Sequence, residues 1–134
     1  MRAGQLLVIV KRDAAGEWYM LPGGGQEMHE SLHDAVRREC REELGAEVVV
    51  GELLYVRDYI ARHHEFAAVD DGHQVELMFA CTLVGDLGAA VVPDEGQLGV
   101  TWLALDRLGE VRLYPAALGR AIANRTRGYL GDVN

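Results

Sequence analysis

The chain has 134 residues, enough to bury a core in a single domain spanning 1–134 and too few for a second folded unit. Its 13 Lys and Arg against 21 Asp and Glu leave a net charge of -8. This excludes the basic field needed to bind long nucleic acid through its phosphates and leaves room for small phosphorylated substrates if a metal supplies positive charge. No run approaches the roughly 18 apolar residues of a membrane span, and Leu6–Val10 is too short for a signal-peptide core, so a soluble cytoplasmic protein without membrane contact is expected.

Gln5 to Lys11 is a nearly continuous apolar run of branched residues, which predicts a central strand covered on both faces. Arg12–Gly16 is a turn and Glu17–Met20 a short strand. Leu21-Pro22-Gly23-Gly24-Gly25 then forces a tight turn, because proline fixes one φ and the glycines permit close approach of another group. Ser31 as N-cap, Asp34 at the capping-box position and Gly45 past the end predict a helix over Leu32–Leu44.

On that helix Leu32, Val36, Cys40 and Leu44 form an apolar stripe, and Glu39, Glu42 and Glu43 crowd one adjoining face. Carboxylates at this spacing repel, so a cation is expected among them. It could be a basic side chain of the same helix (Arg37, Arg38 or Arg41) or a hard divalent ion, which prefers oxygen ligands. On the wheel Arg37 and Arg41 point away from the cluster.

Glu47–Ile60 has strand composition with a break at Gly51, compatible with one bent strand or two. Ala61–Gly72 reads as a polar loop carrying His63, His64, Glu65, Asp70 and Asp71, with His73 just beyond. The spacing fits no zinc pattern, and a solvated or substrate-facing loop is favoured over metal ligation. Gln74–Val84 alternates, with Val75, Leu77, Phe79, Cys81 and Leu83 on one face and Glu76, Met78, Ala80, Thr82 and Val84 on the other. Gly85–Gly99 is a loop containing Asp94 and Glu95, Val100–Leu105 a strand, Asp106–Gly109 a helical turn. Pro115 opens a last helix from Ala116 to about Arg127, ended by Gly128. Cys40 and Cys81 lie in regular elements without metal-site spacing and read as buried free thiols, in keeping with a reducing cytoplasm.

Gly24, Glu30, Arg38, Glu39, Glu42, Glu43 and Gly45 match every fixed letter of G-x5-E-x7-R-E-U-x-E-E-x-G-U. The sequence therefore resembles the Nudix family, whose MutT-like members carry this box. Cys40 and Ala46 stand where the family has bulky aliphatic residues, a departure that concerns packing. The Trp-Tyr-x-Leu-Pro-Gly-Gly approach, Trp102-Leu103 and Leu113-Tyr114-Pro115 extend the likeness over most of the chain.

The resemblance implies an α/β fold, the Nudix α/β/α sandwich with a mixed β-sheet between helices. It implies a hydrolase, dependent on Mg²⁺ (or Mn²⁺), that cleaves a phosphoanhydride bond in a small nucleotide substrate. Glu39, Glu42 and Glu43 would hold the metal with the carbonyl of Gly24, and Glu30 would support the site. Arg38 would orient a glutamate. Glu39, Arg38, Glu42 and Glu95 form the expected catalytic set, with Glu39 first as general base, then Glu95, then Glu76 and His73.

Arg62 stands where typical ADP-ribose pyrophosphatases of the family have a proline. His63 or His64 replaces the tyrosine of diadenosine polyphosphate hydrolases, and the NADH and coenzyme A signatures are missing. Elimination favours a MutT-like nucleoside triphosphate pyrophosphohydrolase or a small generalist. The alternatives are an ADP-ribose or nucleotide-sugar pyrophosphatase, or a nucleotide-sensing module without turnover. Trp18, Tyr19 and Phe66 are aromatic candidates for base stacking, with core packing the default for each. In Nudix relatives the first strand here usually follows another through a hairpin, and Arg2-Ala3-Gly4 resembles the tail of such a turn. The expectation is an upstream start or a pairing supplied by a second subunit, and so a possible homodimer.

Overall fold

The computed structural model describes residues 1–64, 67–68 and 71–134. Glu65, Phe66 and Asp70 lie outside the described residues. Strand β1 (Gln5–Asp13) turns through Asp13, whose carboxylate accepts the Ala15 N–H at 2.8 Å, into β2 (Gly16–Met20). After the glycine turn comes α1 (Leu32–Leu44), followed by β3 (Glu47–Ile60), β4 (His73–Val84), β5 (Gly99–Ala104), β6 (Leu113–Tyr114), α2 (Ala116–Ala123) and β7 (Gly128–Asp132). Single 3₁₀ turns occupy Ala61–His63 and Leu105–Glu110.

The architecture is α/β, with helices flanking mixed strands that divide between two sheets, in the orders β5-β1-β2-β6 and β4-β3-β7. Each sheet combines antiparallel pairing with one parallel edge, β2 with β6 and β3 with β7. The apolar run of β1 is central and covered on both faces, as its composition requires. Leu6 and Val8 pack with Leu118 and Ala121 of α2, and Leu7 packs with Cys40 and Leu44 of α1. Full burial of a leucine such as Leu44 or Leu118 contributes about 2 kcal/mol.

α1 begins and ends where its caps predict. Ser31 Oγ accepts the Asp34 N–H at 3.2 Å, and the Gly45 N–H donates to the Arg41 carbonyl at 3.0 Å. Its buried face differs from the predicted stripe: Ala35, Cys40, Glu43 and Leu44 are buried, whereas Leu32 is 38% exposed. Residues 47–60 form one strand, with register shifts between Val50 and Tyr55 where Gly51 backs onto Ala80. On β4 the alternation holds for Met78 and Ala80 toward α2 and for Cys81 and Leu83 toward α1. The leading residues Val75 and Leu77 are exposed instead.

α2 is shorter than predicted. Arg125 takes a positive φ, and the Thr126 N–H and Oγ1 both return to the Ala121 carbonyl, closing the helix at Asn124. This frees residues 128–132 to form β7, which the glycines in its sequence concealed. Pro115 occupies the N-cap position of α2. Among the described residues no helix is long and apolar enough to cross a membrane.

Candidate functional site

The glycine turn and the last two turns of α1 build the site. Arg38 is its hub. Its Nε and Nη2 donate to the two oxygens of Glu30 at 2.9 and 3.1 Å, Nη2 also donates to the Gly25 carbonyl at 2.9 Å, and Nη1 donates to Glu39 at 2.7 Å and Glu42 at 3.2 Å. One guanidinium, 20% exposed, thus answers three carboxylates, and two of them, Glu30 most strongly and then Glu39, raise its pKa further above its ordinary value. Of the candidate side-chain cations on α1, only Arg38 serves the cluster. Arg37 pairs with Asp34 and Arg41 with Glu47.

The three glutamates share one face of α1 but not one environment. Glu43 is buried, 3% exposed, and its Oε2 accepts the Gly23 N–H at 2.8 Å. Burial pushes its carboxyl up to about 7 against the lowering pull of Gly23, with Glu39 and Asp94 adding to the rise. Gly24 lies so close to Glu39 that a β-carbon there would sit 2.7 Å from Cδ and 2.9 Å from Oε2, so any side chain at this position would have to displace the carboxylate. The same burial logic pushes the Cys40 thiol up to about 12 and raises that of Cys81, and both are free.

The loop after β4 anchors to the end of α1. The Val91 and Val92 N–H groups donate to the Glu42 carbonyl at 2.7 and 2.9 Å, and Gln97 Nε2 donates to the Glu43 carbonyl at 2.8 Å. These satisfy carbonyls that a helix end leaves open. Asp94 turns inward to Lys11 at 2.5 Å, and Lys11 lies over the Trp18 ring. Glu95 is exposed, and no hydrogen bond or ion pair recorded among the described residues joins its carboxylate to the box. Glu76 is held by Arg57 through two contacts of 2.7 Å, and His73 is exposed at the start of β4.

His63 and His64 both engage Asp132, at 2.6 and 2.8 Å, and fasten β7 to the end of β3. Arg62 pairs with Asp71. His29 and His33 are exposed, with His33 edge-on to Phe79. Gln97 and the pairing of Lys11 with Asp94 carry no signal in the sequence, whereas Gly23 belongs to the glycine turn expected to admit a close approach. Each acts across a chain separation with no local spacing rule, although Lys11 closes the first apolar run.

A cleft of about 910 Å³ opens beside this cluster, lined there by Lys11, Trp18, Gly23, Gly24, Gln26 and Glu39. Trp18 stands edge-on to Tyr114 at 5.6 Å, while Tyr19 packs against the core and donates to Glu17.

A profile of the NUDIX domain matches residues 1–124. The chain belongs to the Nudix family. A curated relative, the low-salt glycan biosynthesis protein Agl8 of Haloferax volcanii, is 33% identical over 73 residues, which is 54% of this chain and 46% of the relative. The chain therefore spans about half the length of that protein. Among solved structures, a MutT NUDIX hydrolase from Burkholderia pseudomallei is 30% identical, with 89% of this chain and 88% of that one covered and a TM-score of 0.65. A UDP-X diphosphatase has a TM-score of 0.68 at 18% identity, covering 96% of this chain and 62% of that one.

The domain is thus a Nudix domain, and membership of that family implies a divalent-cation-dependent mechanism in general. Among the described residues no group of three ligating side chains is already drawn together. The donor set nevertheless suits a hard ion: carboxylates of Glu39, Glu42 and Glu43 beside a turn whose Gly24 leaves no side chain in the way. Arg38 Nη1 now rests on two of these carboxylates, and Glu30 keeps hold of the same guanidinium through Nε and Nη2.

Proposed function

We propose that this Nudix domain hydrolyses the diphosphate of a nucleoside diphosphate joined to a sugar-type moiety, ADP-ribose or a nucleotide sugar, with Mg²⁺ or Mn²⁺ held by Glu39, Glu42, Glu43 and the Gly24 carbonyl. The observation that carries this reading is how little uncommitted positive charge lies beside the box among the described residues. Arg38 is shared by Glu30, Glu39 and Glu42, and Lys11 is paired with Asp94. A doubly esterified diphosphate brings less negative charge to such a site than a triphosphate does. The names of the Haloferax relative and of the UDP-X diphosphatase support the same direction.

The cation, when bound, neutralises charge on the diphosphate and acidifies water at its edge. Glu39 takes the proton of the attacking water as a new P–O bond forms, and the bridging P–O bond breaks with its electron pair leaving on the second phosphate. Arg38 positions the Glu39 carboxylate through Nη1, and the Glu30 fork fixes the guanidinium. Glu95, on the exposed loop, is the second candidate for the base. Trp18, flanked by Tyr114 and Lys11 in the cleft, is the aromatic face offered to a base.

A nucleoside triphosphate pyrophosphohydrolase is the second reading, favoured by the 30% identical MutT NUDIX hydrolase. A panel of nucleotide sugars, ADP-ribose, nucleoside triphosphates and dinucleoside polyphosphates, with and without Mg²⁺ or Mn²⁺ and beside Glu42→Gln, separates them. Nucleoside monophosphate plus sugar phosphate, lost in the variant, is the expected outcome. Pyrophosphate from triphosphates alone selects the second reading. Nucleotide binding without turnover on any compound makes the chain a sensing module.

A further inference from the structure

The loop between β4 and β5 meets the end of α1 through hydrogen bonds of two kinds. Gly88, Val91 and Val92 use backbone N–H groups, on the carbonyls of Leu44 and Glu42, which any residue but proline could supply. Gln97 differs in using its side chain, whose Nε2 donates to the Glu43 carbonyl at 2.8 Å.

The other end of the same amide is committed too. Gln97 Oε1 accepts the Asp94 N–H at 2.9 Å, and the Gln97 N–H donates back to the Asp94 carbonyl at 2.9 Å, closing a turn through Gly96 at φ 73. That turn sets the Asp94 carboxylate 2.5 Å from the Lys11 ammonium, and the Leu98 N–H fastens the next residue to the Val10 carbonyl, beside Lys11 on β1. Lys11 in turn lies 5.4 Å from the centre of the Trp18 ring, and both line the cleft. Glu43 is thus held from two distant segments: its carboxylate accepts the Gly23 N–H, and its carbonyl accepts Gln97. In a close-packed interior a shift of its main chain is passed on to the buried carboxylate.

We propose that Gln97 is a positioning residue, a clasp that couples Glu43 in the metal cluster to the Lys11–Trp18 wall of the cleft. The proposal rests on the reading of Glu43 as a metal ligand and requires no choice between substrates. One amide sets both places: Nε2 fixes the peptide of Glu43, and Oε1 fixes the turn from which Asp94 holds Lys11 over Trp18. Groups one step removed from metal ligands tune affinity by about 10- to 100-fold.

The test is Gln97→Met, which keeps the length and loses both side-chain hydrogen bonds, beside the parent chain and Lys11→Met. Mn²⁺ affinity is read by electron paramagnetic resonance without nucleotide, and the indole N–H signals of Trp18 and Trp102 by NMR without metal. Gln97→Met should raise the Mn²⁺ Kd by about tenfold and move the Trp18 signal toward its position in Lys11→Met, with Trp102 unmoved as the sign of an intact fold. A merely structural role lowers the thermal midpoint and leaves the Kd or the Trp18 signal unchanged, and either result overturns the proposal. A parent chain that takes up no Mn²⁺ overturns the metal reading and the proposal with it, whereas equal uptake by parent and variant overturns the proposal alone. In the parent chain the Asp94 N–H and Gln97 Nε2 protons should exchange with water about tenfold more slowly than free amides. Free exchange at both overturns the clasp, even where no variant folds.

Discussion

Arg38 resolves an electrostatic conflict that the sequence only posed. Glutamates three and four residues apart on one helix need a cation, and the guanidinium supplies it with a fork that a lysine lacks. Its two-point hold by Glu30 keeps the group in place while Nη1 reaches Glu39. Gly24 is the steric counterpart of this charge arrangement. In Gly24→Ala the new methyl must displace the Glu39 carboxylate. A displacement of about 1 Å in a reacting group costs on the order of 100-fold in rate. We expect kcat to fall by about that factor while the thermal midpoint changes little, measured side by side on the purified variant.

Helix α1 matters as an element because both ends are tied to other parts of the chain. Its first turn is capped by Ser31, and its last carbonyls receive the loop after β4 through Val91, Val92 and Gln97. Gly45 makes that docking possible. It holds a left-handed φ of 57, and its Cα faces the backbone of Gly88 and Ala89, where a β-carbon would overlap the Ala89 carbonyl. Gly45→Ala should therefore cost the roughly 1–2 kcal/mol of a left-handed alanine and more from the collision. Denaturant unfolding should show a lower midpoint with unchanged slope, and a midpoint equal to that of the parent chain would refute this account.

At the scale of the whole molecule, ion pairs tie together segments of each sheet that lie far apart in the chain. Arg112 forks onto Asp13 with contacts of 2.9 and 2.8 Å, linking the end of β1 to the segment before β6. The hydrogen bonds from Arg112 hold the Asp13 carboxyl down at about 2, below its ordinary 3.8. The His63 and His64 contacts likewise hold Asp132 at about 2. A depressed carboxyl contributes stability above its unfolded value and loses it as pH falls through its folded value. The Asp13 contribution is therefore present above pH 3.8 and disappears toward pH 2. Asp13→Asn should lie below the parent chain in thermal midpoint at pH 6, with the two curves converging by pH 2. Because the pair is exposed, the gap should also shrink in high salt.

The local elements were legible because their signals are local. The limits of α1 follow from Ser31, Asp34 and Gly45, the burial of β1 from an unbroken apolar run, and the box from seven residues within one turn and one helix. Residues that act through space left no such mark. Glu43 became the buried carboxylate because the glycine turn folds over it, and Glu76 was taken by Arg57 from the neighbouring strand. Asp94, with Glu95 exposed beside it, turned inward because Lys11 waits across the sheet. β7 formed because Arg125 and Thr126 end α2 early and β3 offers a parallel edge. The sequence by itself thus determined the helix, the central strand and the family of the site, all set by spacing within a few residues. Only the tertiary structure decided which carboxylate is buried, which cation serves three of them and which strand edges stay open, because those depend on groups brought together from opposite ends of the chain.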